Sequence, residues 1–204
     1  MFEPNKKIHL VGSSGNLLES KSFELIDSAD YVIRFNRAPV KGFEEHVGYR
    51  TTHRYVNRPA AQNQFEPYQE RDLNFFKRLD NEIIILDDPQ WDHSPVMNDN
   101  KFYKVFSESC SYVYLNRGKE VKIFYENFKS NFDQNDIPPP TTRSSVGFAM
   151  ICYCLNRGLN ISLFGFGVNE NPKTSSHYYG NKPSNARVGH DYSFERKVIK
   201  LLAQ

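Results

Sequence analysis

The sequence predicts a single α/β domain, a parallel sheet covered by helices, on three observations. The chain has 204 residues, more than one average domain and less than two, so a single domain over residues 1–204 is expected. Short β-branched runs alternate with longer segments of helical period, the pattern of parallel strands joined by crossover helices. Glycine-rich turns follow the first and last of these runs, Gly12-Ser13-Ser14-Gly15-Asn16 and Gly165-Phe166-Gly167. Open parallel sheets place their ligands at such strand ends.

Lys7 to Val11 is the first strand expected, with Ile8, Leu10 and Val11 apolar and Gly12 closing it. Tyr31 to Arg34, with Val32 and Ile33 at its centre, and Thr52 to Val56, with Thr52, Tyr55 and Val56, follow. Glu66 to Leu79 carries apolar residues at helical spacing. Glu82 to Leu86 then supplies three isoleucines in succession, as a strand buried on both faces requires. Lys119 to Phe128 and Ser145 to Asn156 are expected as helices, Asn160 to Phe164 as the last strand, and Asp191 to Leu202 as a final helix with Phe194, Val198, Leu201 and Leu202 on its apolar side. Asp87 to Asn100 and Asn131 to Thr142 have neither period, and Pro138, Pro139 and Pro140 exclude a helix interior, so both are expected as surface loops beside a site. Adjacent Asp87 and Asp88 are expected in a solvated turn rather than as a catalytic carboxylate pair. Val168 to Gly189 is a long polar loop holding His177, Tyr178 and Tyr179.

With 39% hydrophobic and 25% charged residues, the chain is neither disordered nor supercharged. A net charge of +2 gives no long-range pull toward nucleic acid. Five arginines between Arg34 and Arg58, interleaved with aromatic residues, leave an RNA-binding patch as a minor alternative. No run approaches the length of a membrane span, and Met1 to Lys7 lacks the apolar core of a secretory signal. Three cysteines, two of them at 152 and 154 in an apolar run, suit core thiols in a reducing compartment better than a disulfide framework. A cytoplasmic location follows as the expectation, with peripheral contact at the inner membrane face left open.

The first glycine turn frees the backbone so that amide donors converge on an anion, and it equally suits an ordinary strand-to-helix connection. It is neither a Walker loop nor a dinucleotide fingerprint. His190 precedes the last helix with Glu195 five residues on. A helix N-terminus disfavours the charged imidazole, which suits a base near neutral pH; the alternative is a polar boundary residue. His177 suits either donation to a phosphate or packing of its loop. No Asp-x-Asp triplet, HExxH or GxSxG occurs, which lowers the weight of metal-dependent transfer and of serine hydrolysis.

Taken in order, Val11 to Leu17, Ile26-Asp27, Ala29-Asp30, Val32 to Pro39, Gly42 to Glu44 and Val47 to His53 resemble one long motif, the large sialyl motif of glycosyltransferase family 29, the animal-type sialyltransferases. Ser144-Ser145-Val146-Gly147 leading to Leu163 to Gly167 resembles the small motif. His177-Tyr178-Tyr179-Gly180 is similar to the third motif, and His190 with Glu195 to the very small motif. The resemblance implies a Rossmann-like variant of the A-type glycosyltransferase fold, a CMP-activated sugar as donor substrate, inversion at the anomeric carbon and no metal or other cofactor. It implies nucleotide contacts from Ser14, Asn16, Asn36, Ser145, Gly147, Phe166 and Gly167, with Ser13 in the same loop. It implies His177 on the donor phosphate and His190 as the general base.

The chain departs from the family pattern at three positions. Ser13 stands where asparagine is usual, Val146 replaces the usual threonine, and Arg143 falls where an aromatic residue is common; Arg143 is expected to compensate at the phosphate. The cysteines that join the large and small motifs in animal members are absent, and a bacterial or viral member is the expectation. The expected reaction is transfer of sialic acid to a glycan acceptor, with glycolipid and lipooligosaccharide among the candidates. The alternatives are a CMP-Kdo donor and a non-catalytic CMP- or glycan-binding module.

Overall fold

The computed structural model describes residues 1–57, 81–88, 111–131, 144–167, 177–180 and 192–202. Its strands are β1 (Ile8–Val11), β2 (Tyr31–Phe35), β3 (His53–Val56), β4 (Ile83–Asp87), β5 (Tyr112–Leu115) and β6 (Ile161–Phe164). Every described pairing is parallel, and the order across the sheet is β5-β4-β3-β2-β1-β6. From β1 to β5 the chain steps outward one strand at a time, then returns to lay β6 on the free side of β1. The direction of winding therefore reverses between β1 and β6, and a crevice opens at their carboxyl ends.

The helices are α1 (Phe23–Asp27), α2 (Glu44–Val47), α3 (Arg117–Phe128), α4 (Val146–Leu155) and α5 (Tyr192–Leu202). Strand alternation divides the core in two. Ile8, Leu10, Ile33, Phe35, Tyr55, Ile85 and Leu115 point to one face and pack with residues of α3, α4 and α5. Val11 and Val32 point to the other and pack with Leu17, Ile26 of α1, Val47 of α2 and Tyr178. This three-layer arrangement agrees with the α/β sheet flanked by helices that the sequence predicts.

Four of the five expected strands, Asn160 to Phe164 among them, shift by a residue at one end, and Glu82 to Leu86 moves one residue on at both ends, to Ile83–Asp87. Asn116 and Ser145 cap α3 and α4, accepting hydrogen bonds from the amides of Lys119 and Phe148 at 2.9 and 3.1 Å. The Glu66 to Leu79 helix and most of the three expected loops lie outside the described residues. Strand β5 is an addition to the sequence reading. Asp87 corrects it: rather than sitting in a solvated turn, the carboxylate ends β4 under cover, accepting from the Tyr55 hydroxyl at 2.7 Å and pairing with Arg117 at 3.1 Å. Burial, then the Asp87 charge, pushes the Tyr55 phenol well above its ordinary value.

The arginine cluster is corrected as well. Arg34, Arg37 and Arg54 are buried rather than arrayed on the surface. Arg34 donates to Thr51 Oγ1 and to the carbonyls of Val47, Gly48 and Arg50, fastening the segment between α2 and β3. Burial lowers its pKa to about 10, so it stays charged at neutral pH. Arg54 grips Glu82 through two hydrogen bonds and donates to the carbonyls of Asn36 and Ala38. Arg34 and Arg54 hold turns together rather than facing a ligand; Arg50 is exposed and donates to the Asp27 and Ala29 carbonyls, and Arg58 lies outside the described residues. Cys152 and Cys154 are buried free thiols, the latter pushed up to about 12 by burial. No helix among the described residues is long and apolar enough to cross a membrane.

Candidate functional site

Four strands release the chain at the same edge, and the first residue beyond each lines one cleft: Gly12 after β1, Asn36 after β2, Asn57 after β3 and Gly165 after β6. The cleft encloses about 120 Å³ and is completed by Ser13, Ser14, Phe35, Ser145, Val146, Gly147, Phe166 and His177 together with one face of α5.

The β1 and β6 turns form a single rim. The Gly12 amide donates to the Phe164 carbonyl at 2.7 Å and the Ser14 amide to the Gly165 carbonyl at 2.9 Å. A Cβ at Gly12 would run into the Gly165 carbonyl oxygen, and Gly165 itself has φ +67°, so both positions require glycine. Asn36 also takes a left-handed conformation, φ 51°. Its Oδ1 accepts from the Asn57 amide at 3.0 Å, tying the ends of β2 and β3 together.

The N-terminus of α4 closes the opposite wall. Glu195 is buried and spends both carboxylate oxygens on Ser145: Oε1 accepts from the amide and Oε2 from the hydroxyl, each at 2.6 Å. The same hydroxyl accepts from the Phe148 amide. The Val146 and Gly147 amides, by contrast, have no partner among the described residues and stand at the positive end of a ten-residue helix, where an anion or a polar base edge is favoured. A Cβ on Gly147 would lie 3.0 Å from the Phe166 ring. Phe166 meets Phe35 edge to face, with centroids 5.8 Å apart, and gives the cleft an aromatic side.

His177 enters from the segment 177–180. Its Nδ1 lies 3.0 Å from Ser13 Oγ, and its ring stacks on Tyr179 at 5.1 Å between centroids. Tyr178 beneath it is buried and donates its hydroxyl to the Pro39 carbonyl.

Of the residues expected from sequence, Ser13, Ser14, Asn36, Ser145, Gly147, Phe166 and His177 thus line the one cleft. Asn16 and Gly167 are not part of it; the Asn16 amide donates to Ser14 Oγ at 3.4 Å, within the turn. His190 and Arg143 lie outside the described residues. The sequence reading missed Phe35, Asn57, Arg196 and Ile199 as lining residues. Asn57 was discoverable from its place directly after a strand; Arg196 and Ile199 share a helical face with Glu195.

The chain is 28% identical over 209 residues to the CMP-N-acetylneuraminate-beta-galactosamide-alpha-2,3-sialyltransferase 1 of Gallus gallus and 27% identical over 209 residues to that of Homo sapiens; each alignment covers 97% of this chain and 56% of the relative. It spans about half the length of these curated relatives. The crystal structure of a mammalian sialyltransferase in complex with Gal-beta-1-3GalNAc-ortho-nitrophenol superposes with TM-score 0.61 at 25% identity, covering 97% of this chain and 66% of that one. Cst-I of Campylobacter jejuni, a monofunctional alpha-2,3-sialyltransferase, shares the fold at TM-score 0.55 and 15% identity, over 99% of this chain and 74% of its own. A family model described as glycosyltransferase family 29 (sialyltransferase) matches residues 4–204, and with its motifs gathered on one cleft the chain belongs to that family.

Proposed function

We propose that this protein transfers sialic acid from CMP-sialic acid to a hydroxyl of an acceptor glycan, with inversion, without a metal ion and with His190 as general base. One observation carries the reading: residues from the large, small and third motifs, far apart in sequence, line a single cleft at the carboxyl edge of the sheet. In this reading the Val146 and Gly147 amides and the aromatic pair Phe35 and Phe166 receive the nucleotide, and His177 donates to its phosphate.

A CMP leaving group carries one phosphate, so amides, hydroxyls and an imidazole replace the divalent ion that a diphosphate needs. A 2-keto sugar ionises toward an oxocarbenium ion, and the acceptor hydroxyl then requires only the help of one positioned base. Glu195 is committed to Ser145 and is not the base. The alpha-2,3 linkage in the names of the relatives, and the galactoside bound to the mammalian neighbour, support a terminal galactose as acceptor.

The test is CMP release from CMP-Neu5Ac and from CMP-Kdo, in EDTA, by wild type and His190→Ala. The expected outcome is release from CMP-Neu5Ac that survives EDTA and falls by about 10² to 10⁴-fold in the variant. Preference for CMP-Kdo would change the donor, and CMP binding without release would make this a binding module.

A further inference from the structure

The peptide that joins Ser144 to Ser145 is held at both ends by charged side chains. Its carbonyl, on Ser144, accepts from Arg117 Nη1 at 3.0 Å, and its N–H, on Ser145, donates to Glu195 Oε1 at 2.6 Å. The two groups of a trans peptide point in opposite directions within one plane, so a cation on one and an anion on the other fix how that plane is turned. Both charged residues are buried, Arg117 at 8% and Glu195 at 4% exposure. Arg117 is oriented in its turn: Nη2 lies 3.1 Å from Asp87 Oδ2, and Oδ1 of the same carboxylate accepts from the Tyr55 hydroxyl at 2.7 Å. The planar guanidinium therefore serves carboxylate and carbonyl from two nitrogens in one rigid fork. Asp87 also neutralises a cation that would otherwise stand beside the positive end of α4. Neither Arg117 nor Asp87 lines the cleft, and both act on it through the peptide they hold.

We propose that Arg117 is a positioning residue for nucleotide recognition: fixed on Asp87, it clamps the Ser144–Ser145 peptide against Glu195 and so aims the Val146 and Gly147 amides into the cleft. Those amides follow the clamped peptide directly, and Ser145, between them, has its hydroxyl tied to Glu195 and to the Phe148 amide, so the turn of the plane is passed on to the first turn of α4. Amides held in place before a ligand arrives bind an anion without the cost of ordering them. The binding half of this inference rests on the proposed donor site; the geometric half does not.

Removing Arg117 alone strands the Asp87 charge, so the test variant pairs Arg117→Met with Asp87→Asn, which keeps an acceptor for Tyr55. Arg117→Lys keeps the charge, and Phe128→Ala, which removes the ring stacked on Phe124 at the far end of α3, is the control for lost stability. ¹H–¹⁵N spectra of the ligand-free proteins read the Ser145, Val146 and Gly147 amides, and CMP titrations read the cleft. The expected result for the double variant is displaced signals at these three amides and about fivefold weaker CMP binding, as for one hydrogen bond. Arg117→Lys is expected between it and wild type in both readouts, and Phe128→Ala to match wild type in both. Unmoved amide signals in the double variant, moved signals with wild-type CMP affinity, or an equal loss of affinity in Phe128→Ala overturns the proposal. Moved signals in a protein whose wild type binds no CMP support the clamp and count instead against the donor site.

Discussion

Glu195, five residues after the proposed base, is placed to hold the cleft together. Both of its oxygens hold Ser145, and Ser145 fixes the first turn of α4, so the carboxylate acts on the cleft through the helix. Glu195→Ala leaves the Ser145 amide unpaired, at a cost of about 1–3 kcal/mol. The expected outcome is a lower midpoint of chemical denaturation and weaker CMP binding; Glu195→Gln, which keeps one acceptor, should recover part of both. Loss of turnover in Glu195→Gln with stability and CMP binding intact would instead make it an acid or base. At this scale the sequence was uneven. Ser13, Asn36 and His177 were legible because motif spacing marks them. Asp87 was misread because its partners, Tyr55 and Arg117, come from other elements and no local pattern announces them. Arg34 and Arg54 looked like surface cations for the same reason.

Among the elements, α3 and α4 were legible to within two residues because each joins helical periodicity to a side-chain cap. The strand β5 was not. Its four residues show only two tyrosines alternating with Val113 and Leu115, and as a sheet edge it exposes Tyr112 and Tyr114 at 37% and 43%. Too little of it is buried to write a core pattern. The helices α1 and α2 are five and four residues long, short of any detectable period. The two capped helices separate stability from binding. Asn116→Ala and Ser145→Ala each remove a cap and are expected to cost about 1 kcal/mol in denaturation. Only Ser145→Ala should also weaken CMP binding, because Asn116 is not part of the cleft wall. Equal losses of CMP affinity in both variants would detach the small motif from nucleotide recognition.

Across the whole molecule, the layer order was legible because strand and helix periods alternate along the chain. The neighbourhood of β1 and β6 was foreshadowed only by their matching glycine turns. Global stability carries one pH signature. His53 is buried beside Phe2 and Tyr31, and burial pushes its pKa down from 6.5 to about 4. An unfolded chain takes up this proton as the pH falls through 6.5, whereas the folded chain does so only near 4. The contribution of His53 is therefore complete above 6.5 and is lost progressively down to about 4. Urea denaturation from pH 7.5 to 4.5 should show the fall, and His53→Gln should flatten its slope. An unchanged slope would assign the acid sensitivity to other groups.

The pairing of β1 with β6 also sets a timetable for synthesis. Roughly 150 residues separate Val11 from Phe164, so this is the pairing with the highest cost of loop closure. A ribosome that has delivered β1 to β5 has made most of a sheet with one side of β1 still bare, an open edge that invites pairing with other chains. The rim between Gly12 and Gly165 comes into being only when β6 docks. Nascent chains stalled before residue 164 are thus the ones most exposed to aggregation, and the cleft cannot begin to form until the last strand has arrived.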